Sequence, residues 1–329
     1  MRPTIRIMMA TYNGEMFIKE QIQSIIDQTY TNWSLIIQDD GSKDNTVEII
    51  KQFRDERVSF RLSPEKKHGA YYNFHSMANQ EKQSDTVYDF YMFCDQDDLW
   101  DSDKIERMLC KIEKETGSVN GREQETPFFC YADMRIINEN GIIKTPSICE
   151  AQGLRYVNME SLFFSHIIYG CNTIMNRAAF FSVPILDTTQ DWIGILSHDN
   201  LYAKFSGALG SVAYCPETTM GYRRHGGNVT AKQSYEFGIK RIIKRIMGIN
   251  ELSMDHALTY NQSLLAIRMI CEQAKIPGLC DIESSIRAGG IAALRYVNRK
   301  HVYWGNRIKT VSRKAILLFG TYRKYLIIK

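Results

Sequence analysis

The chain has 329 residues, 44% of them apolar and 24% charged, a mix that excludes a disordered or fibrous protein. Its net charge of +4 hides a split: 24 Lys/Arg face 31 Asp/Glu up to Ser234, whereas 17 face 6 from Tyr235 onward. An acidic body of residues 1–234 therefore precedes a basic tail of residues 235–329, which argues against one uniform domain. In chain order, Ile5–Ala10 reads as a short apolar strand stopped by a turn. Phe17, Ile18, Ile22, Ile25 and Ile26 follow at helical spacing. Ser34–Gln38 predicts a buried strand, and a helix then carries Val47, Ile50 and Phe53 on one face. Val58–Leu62 and Asp89–Cys94 predict two further strands, and Ser102–Lys114 a helix with Ile105, Met108, Leu109 and Ile112 on one side. Such alternation implies an α/β fold with a mainly parallel sheet covered by helices on both faces.

Several other classes lack support. The first apolar run is broken at once by Tyr12-Asn13-Gly14, unlike a signal peptide, and no run reaches the 18 or so apolar residues of a membrane span. The eight cysteines form no CxxC pair, which points to buried thiols in a reducing compartment. No Walker or GxGxxG motif occurs, so P-loop hydrolysis and dinucleotide redox chemistry have no basis here.

In a parallel α/β sheet, ligands gather beyond the carboxyl ends of the strands. Three turns there carry polar clusters: Thr11-Tyr12-Asn13-Gly14, Asp39-Asp40-Gly41-Ser42 and Asp95-Gln96-Asp97-Asp98. Turns favour such residues anyway, so the first two are weak signals alone. In the third, three carboxylates within four residues repel one another. A divalent cation would resolve the repulsion; the competing reading is that the acids favour the N-terminus of the next helix, with Asp101 as its cap. Oxygen ligands suit magnesium or manganese, and a cation held by few carboxylates commonly completes its shell with phosphate. The residues alone thus indicate a metal-assisted enzyme acting on a phosphate-bearing donor.

These turns, with Gly170-Cys171-Asn172, Ser197-His198-Asp199 and Tyr222-Arg223-Arg224-His225-Gly226-Gly227-Asn228-Val229, resemble family 2 of the inverting glycosyltransferases, over about residues 4–230. The motif style is similar to the bacterial rhamnosyltransferase branch. The resemblance implies a GT-A fold, with Tyr12 stacking on a nucleotide base between Thr11 and Asn13. It implies that Asp39 and Asp40 bind base and ribose, and that Asp95 joins the donor site. Asp97 and Asp98 would hold a manganese or magnesium ion, with His225 reaching the metal or diphosphate and Arg223 and Arg224 clamping phosphate. Asp199 matches the catalytic base; on spacing alone it caps a helix over 200–205. Gly170, Cys171 and His198 would lie at the acceptor, a saccharide or lipid-linked saccharide. Asn200-Leu201 replaces an aromatic common in that branch, which leaves the acceptor pocket open. The implied donor is dTDP-L-rhamnose, with a UDP-hexose as the same-class alternative and a noncatalytic sugar-nucleotide or membrane-binding scaffold as the rival.

The tail holds two basic amphipathic stretches. One places Ile239, Ile242, Ile243 and Ile246 beside Lys240, Arg241, Lys244 and Arg245. The other places Val311, Ala315, Leu318 and Phe319 among Arg307, Lys309, Arg313 and Lys314. This pattern predicts contact with an anionic membrane surface at the inner face of the cell membrane. The alternatives are a helical subdomain packed on the body and, without any recognition motif, nucleic-acid binding.

Overall fold

A computed structural model describes residues 2–119, 125–154, 158–226 and 249–328. The chain forms two compact units, Met1–Ala151 with Ile168–His225, and Gln152–Ile167 with Gly226–Lys329. The first unit opens with β1 (Ile5–Thr11), α1 (Ile18–Ile26), β2 (Trp33–Asp39), α2 (Thr46–Ile50) and β3 (Val58–Leu62). It continues with α3 (Ala70–Lys82), β4 (Phe90–Cys94), β5 (Leu99–Trp100) and α4 (Lys104–Thr116). Next come β6 (Phe128–Ile137), β7 (Ile143–Thr145) and α5 (Ile148–Gln152), which ends at the unit boundary. Then follow β8 (Thr173–Asn176), α7 (Arg177–Ser182), α8 (His198–Leu209) and β9 (Ser211–Arg223), while α6 (Met159–Phe164) belongs to the second unit.

The strands form one mixed sheet in the order β3-β2-β1-β4-β8-β6-β9-β5, with β7 paired to β6. The predicted parallel run holds for β3, β2, β1 and β4. Beyond it β8 runs antiparallel to both β4 and β6, while β6 and β9 are parallel to each other. Strand β4 is buried at all five positions, and Ile5, Ile7, Met8 and Met9 of β1 have no exposed surface. A strand buried without alternation is covered on both faces, as a helix-flanked parallel sheet requires. Helix α4 shows how this is encoded: Ile105, Met108, Leu109 and Ile112 recur every three or four residues and are all buried. Truncating one of them, for example Met108→Ala, costs about 2–5 kcal/mol. Gly117 ends the helix in the left-handed region, φ 76°.

Register places the chemistry. Thr11 lies opposite Asp39 and Met9 opposite Cys94, so the turns after β1, β2 and β4 leave the same edge of the sheet. The long strand β9 delivers Arg223 to that edge, through its pairing with the two-residue β5 just after the 95–98 turn.

The second unit is helical. Helices Ile249–Gln273, Leu279–Ala288, Gly290–Arg299 and Arg307–Phe319 join α6 around a core containing Tyr260, Trp304 and Tyr322. The Trp304 indole donates to Phe164 O (2.8 Å), and the Tyr322 hydroxyl to Ile286 O (2.5 Å). Among the described residues no helix is long and apolar enough to cross a membrane. The predicted stretch Ile239, Ile242, Ile243 and Ile246 lies outside the described residues.

Candidate active site

The first turn is locked to the other two. The Tyr12 N–H donates to Gln96 Oε1 and Gln96 Nε2 donates to Tyr12 O, each at 2.9 Å, so one carboxamide fastens the turn after β1 to the turn after β4. Any side chain at Gly14 would place its Cβ 2.3 Å from Gln96 Oε1, which explains the glycine. Asn13 adopts φ 47°, a left-handed conformation that asparagine tolerates, and its Oδ1 accepts from Lys43 N at 2.8 Å. The Tyr12 ring is half exposed at this mouth.

The second turn is internally satisfied. Asp39 is fully buried and accepts from Gly41 N (3.0 Å), Ser42 N (2.8 Å), and the hydroxyls of Thr11 (2.9 Å) and Ser42. Asp40 accepts from Gly69 N at 2.7 Å and pairs with His68 Nδ1 at 3.0 Å. Thr11 and Asp39 thus shape the turn, while Asp40 meets the loop before α3.

The third turn is crowded with charge. Donor atoms of Asp95, Asp98 and Cys171 all lie within 4.8 Å of one another. Burial, followed by the charges of Asp97 and Asp199, pushes the Asp95 carboxyl up to about 7. Burial, then Asp97 and Asp95, drives Asp98 well above the usual carboxylate range, although it accepts from Arg223 N at 3.1 Å. Asp97 instead pairs with His225 Nε2 at 2.7 Å, and the His225 ring sits 4.8 Å from that of Phe17. Asp95, Asp97, Asp98 and His225, expected from sequence at this site, are therefore brought together. Asp101 does not cap α4; it pairs with Arg107 and Arg135.

One expectation needs correction. Arg223 is 1% exposed and faces inward, with Nε on Asp97 O (2.9 Å), Nη1 on Glu139 O (2.6 Å) and Nη2 on Glu20 (2.7 Å). Its guanidinium braces the acidic turn from within and does not clamp a phosphate. Arg224 follows where the strand ends, its N–H donating to Ile137 O at 2.9 Å.

Next to the acidic turn lie Cys171 and Asp199, with Gly170 and His198 against them. The His198 ring stacks on Phe74 (3.9 Å between centroids) and meets Phe93 edge-on. A Cβ at Gly170 would fall 2.5 Å from His198 Nε2 and 3.2 Å from Asp199 Cβ, so the bare backbone there admits the start of α8. Asp199 stands in the first turn of α8 and accepts from Asn200 N (2.7 Å), Asn200 Nδ2 (2.9 Å) and the Ser197 hydroxyl. Its charge raises the proton affinity of Asp95, which ties this side of the site to the acidic turn. Cys171 is buried and its thiol is pushed well above its usual range, chiefly by burial, so it stays protonated beside Asp98.

Three residues escape the sequence reading. Lys104 is fully buried beneath the turn, bonded to Asn172 Oδ1 and Cys171 O, and burial lowers its ammonium to about 8. Its signal is a lysine directly before Ile105 on the apolar face of α4. Gln96 sits within the acidic motif, where its type alone assigns it no role. His75, fully buried, meets Leu196 O at 2.8 Å and holds the chain leading to Asp199; a histidine in α3 gives no signal.

A family model described as Glycosyl transferase family 2 matches residues 6–180. The chain belongs to glycosyl transferase family 2. That family match spans the three turns and the Gly170 segment. Among family 2 relatives, the UDP-Glc:alpha-D-GlcNAc-diphosphoundecaprenol beta-1,3-glucosyltransferase WfgD of Escherichia coli is 27% identical over 60% of this chain and 72% of its own. The dTDP-rhamnosyl transferase RfbG of Shigella flexneri is 39% identical, over 31% of this chain and 35% of its own. In fold, this family 2 chain is similar to the GT-A structure of S. aureus TarS 1-349 in complex with UDP-GlcNAc (TM-score 0.51, 12% identity, 99% and 93% covered). It is also similar to the mannosyltransferase PcManGT from Pyrobaculum calidifontis in complex with GDP-Man and Mn2+ (TM-score 0.50, 12% identity, 100% and 88% covered).

Proposed function

We propose that this chain is an inverting, metal-dependent glycosyltransferase of bacterial cell-surface polysaccharide synthesis, with dTDP-L-rhamnose as donor and a saccharide or lipid-linked saccharide as acceptor. The observation that carries the reading is the convergence of the 95–98 acidic turn and Asp199 on one site in a family 2 chain. Clustered, partly dehydrated carboxylates fit a hard divalent cation. Asp97 and Asp98 would hold it, with His225 on Asp97 and Asp95 in the same cluster. When bound, a manganese or magnesium ion supplies positive charge to the donor diphosphate as its ester bond breaks.

The residues of this chain do the rest. The half-exposed Tyr12 ring offers a face to the nucleotide base, with exposed Asn13 next to it and Asp40 buried behind the turn. Arg224 at the strand end reaches the diphosphate. Asp199 takes the proton of the acceptor hydroxyl while that oxygen bonds to the anomeric carbon from the face opposite the leaving group. The carbon–oxygen bond to the nucleoside diphosphate breaks in the same displacement, and the leaving group departs with the electron pair. The configuration inverts with no covalent enzyme intermediate. The contacts of Asp40 with His68 Nδ1 and Gly69 N close the base side of the site.

The rhamnose reading is supported by the dTDP-rhamnosyl transferase RfbG, which has the higher identity over a shorter span. A second reading, UDP-glucose as donor, is favoured by the longer match to WfgD. Release of nucleoside diphosphate from dTDP-L-rhamnose, UDP-glucose, UDP-galactose and UDP-N-acetylglucosamine, with manganese present, separates them. Fastest turnover of dTDP-L-rhamnose is expected. Fastest turnover of UDP-glucose establishes the second reading, and binding without turnover of any donor leaves a noncatalytic scaffold.

A further inference from the structure

Helix Arg307–Phe319 has two apolar faces, and only one is used inside the second unit. Ile316 and Leu317 are buried, and Arg313 is turned inward with them. On the other side, Ile308, Val311 and Phe319 are 53%, 68% and 69% exposed, with Ala315 and Leu318 half-buried between them. At about 100° per residue these five side chains fall within an arc of about 100°. Isolated exposed apolar residues are ordinary, but a continuous stripe along three turns is not. The stripe is not a fraying end: Asn306 caps the helix by accepting from Lys309 N (3.0 Å), and Gly320 ends it at φ 65°.

Charge selects the occupant. The helix carries Arg307, Lys309, Arg313 and Lys314 and no acid. Lys309 is engaged by Gln152 Oε1 at 2.6 Å, which leaves Arg307 and Lys314 on the border of the stripe. Exposed Arg323 and Lys324 follow just past the helix, with exposed Ile327 beyond them. Over residues 249–328 the chain has 12 Lys/Arg against 5 Asp/Glu. A second copy packed on this face by two-fold symmetry would bring Arg307 and Lys314 of both helices together with no acid on either helix to offset them. Acidic lipid headgroups over an acyl boundary satisfy both features, since such helices lie in the interface with apolar side chains down and basic ones at the headgroups.

We infer that the 307–319 helix is a membrane-docking element that lies flat on an anionic lipid surface through Ile308, Val311, Ala315, Leu318 and Phe319, with Arg307 and Lys314 on the headgroups. This goes beyond glycosyl transfer and stands or falls without it, because the test needs no donor.

The test is co-flotation of the full chain with vesicles of phosphatidylglycerol and phosphatidylcholine in equal parts, and with vesicles of phosphatidylcholine alone. The wild type floats with the first and not the second. Ile308→Ser/Val311→Ser/Phe319→Ser lowers the bound fraction at least tenfold, and Arg307→Gln/Lys314→Gln lowers it roughly fivefold per charge removed and weakens its dependence on salt. All five positions lie on or beside the exposed stripe; a melting curve matching the wild type shows that the variants fold. As a measurement that removes no apolar surface, Phe319→Trp adds fluorescence that shifts to the blue and is quenched by brominated phosphatidylglycerol. Equal flotation of the triple serine variant and wild type overturns the inference, as does an emission from the Phe319→Trp variant that vesicles leave unchanged. A wild type that does not float but sediments as a dimer, with the triple variant a monomer, assigns the stripe to a second copy instead.

Discussion

The turns Asp39-Asp40-Gly41-Ser42 and Asp95-Gln96-Asp97-Asp98 use almost the same residue types at the same sheet edge, yet their electrostatics are opposite. In the first, backbone N–H groups and hydroxyls surround Asp39, and Gly69 N and His68 meet Asp40. In the second, carboxylates surround one another, and burial adds to the repulsion that raises Asp95 and Asp98. A turn that satisfies its own acids is architecture. A turn whose acids repel is held together by its surroundings, here by the Arg223 brace and buried Lys104, and is ready for an external cation.

The largest expected effect lies at Asp199, outside both turns. Asp199→Asn should lower kcat for transfer by roughly 10²–10⁴-fold with donor binding retained, measured by product formation and donor titration. If transfer persists at the wild-type rate, Asp199 is only the helix-terminal residue that its spacing suggested. The two turns themselves should differ in sign. Asp39→Asn replaces an acceptor of several hydrogen bonds and should destabilise the fold by about 1–3 kcal/mol in urea denaturation. Asp98→Asn removes a carboxyl whose ionisation the buried cluster resists and should leave stability unchanged or raise it, while donor turnover falls. Equal destabilisation by both would erase the contrast.

His75 gives the pH prediction. Burial holds its imidazole down at about 3, so it is neutral in the fold, whereas the unfolded chain takes up its proton near 6.5. Above pH 6.5 both states are neutral and nothing is gained or lost. Below it the unfolded state binds more protons, so stability should fall by about 2 kcal/mol from this residue between pH 6.5 and 5. His75→Gln, which keeps a donor for Leu196 O, should flatten that limb of the denaturation profile. The smallest effect is at the mouth: Tyr12→Ala should weaken donor binding by about 0.5–1.5 kcal/mol in titration calorimetry, the worth of one ring stacked on a base.

The parallel half of the fold is legible because its strands are short apolar runs separated by helices of clear period. Val58–Leu62 matches its predicted limits, and Trp33–Asp39 lies within one residue of its expected ends. The antiparallel half is not, because β8 has four residues and β6 shifts register twice against β9, so pairing there is set by distant partners rather than by pattern. At the site, residue types in turns are readable and side-chain direction is not. Arg223 looks like a phosphate ligand beside Arg224 and His225, but its partners Asp97, Glu139 and Glu20 lie 84 to 203 residues away in the chain. Gly170 carries no visible reason until His198 is seen beside it.

The central claim is that the acidic turn after β4 is the cation-dependent donor site. The most direct test is nucleoside diphosphate release by chelator-stripped protein as manganese is added back, for wild type and Asp98→Asn. The account predicts no release from stripped wild type, recovery on adding manganese, and recovery in Asp98→Asn only at more than tenfold higher manganese, if at all. Release from the stripped protein at the full rate, or identical manganese curves for the two proteins, would contradict it.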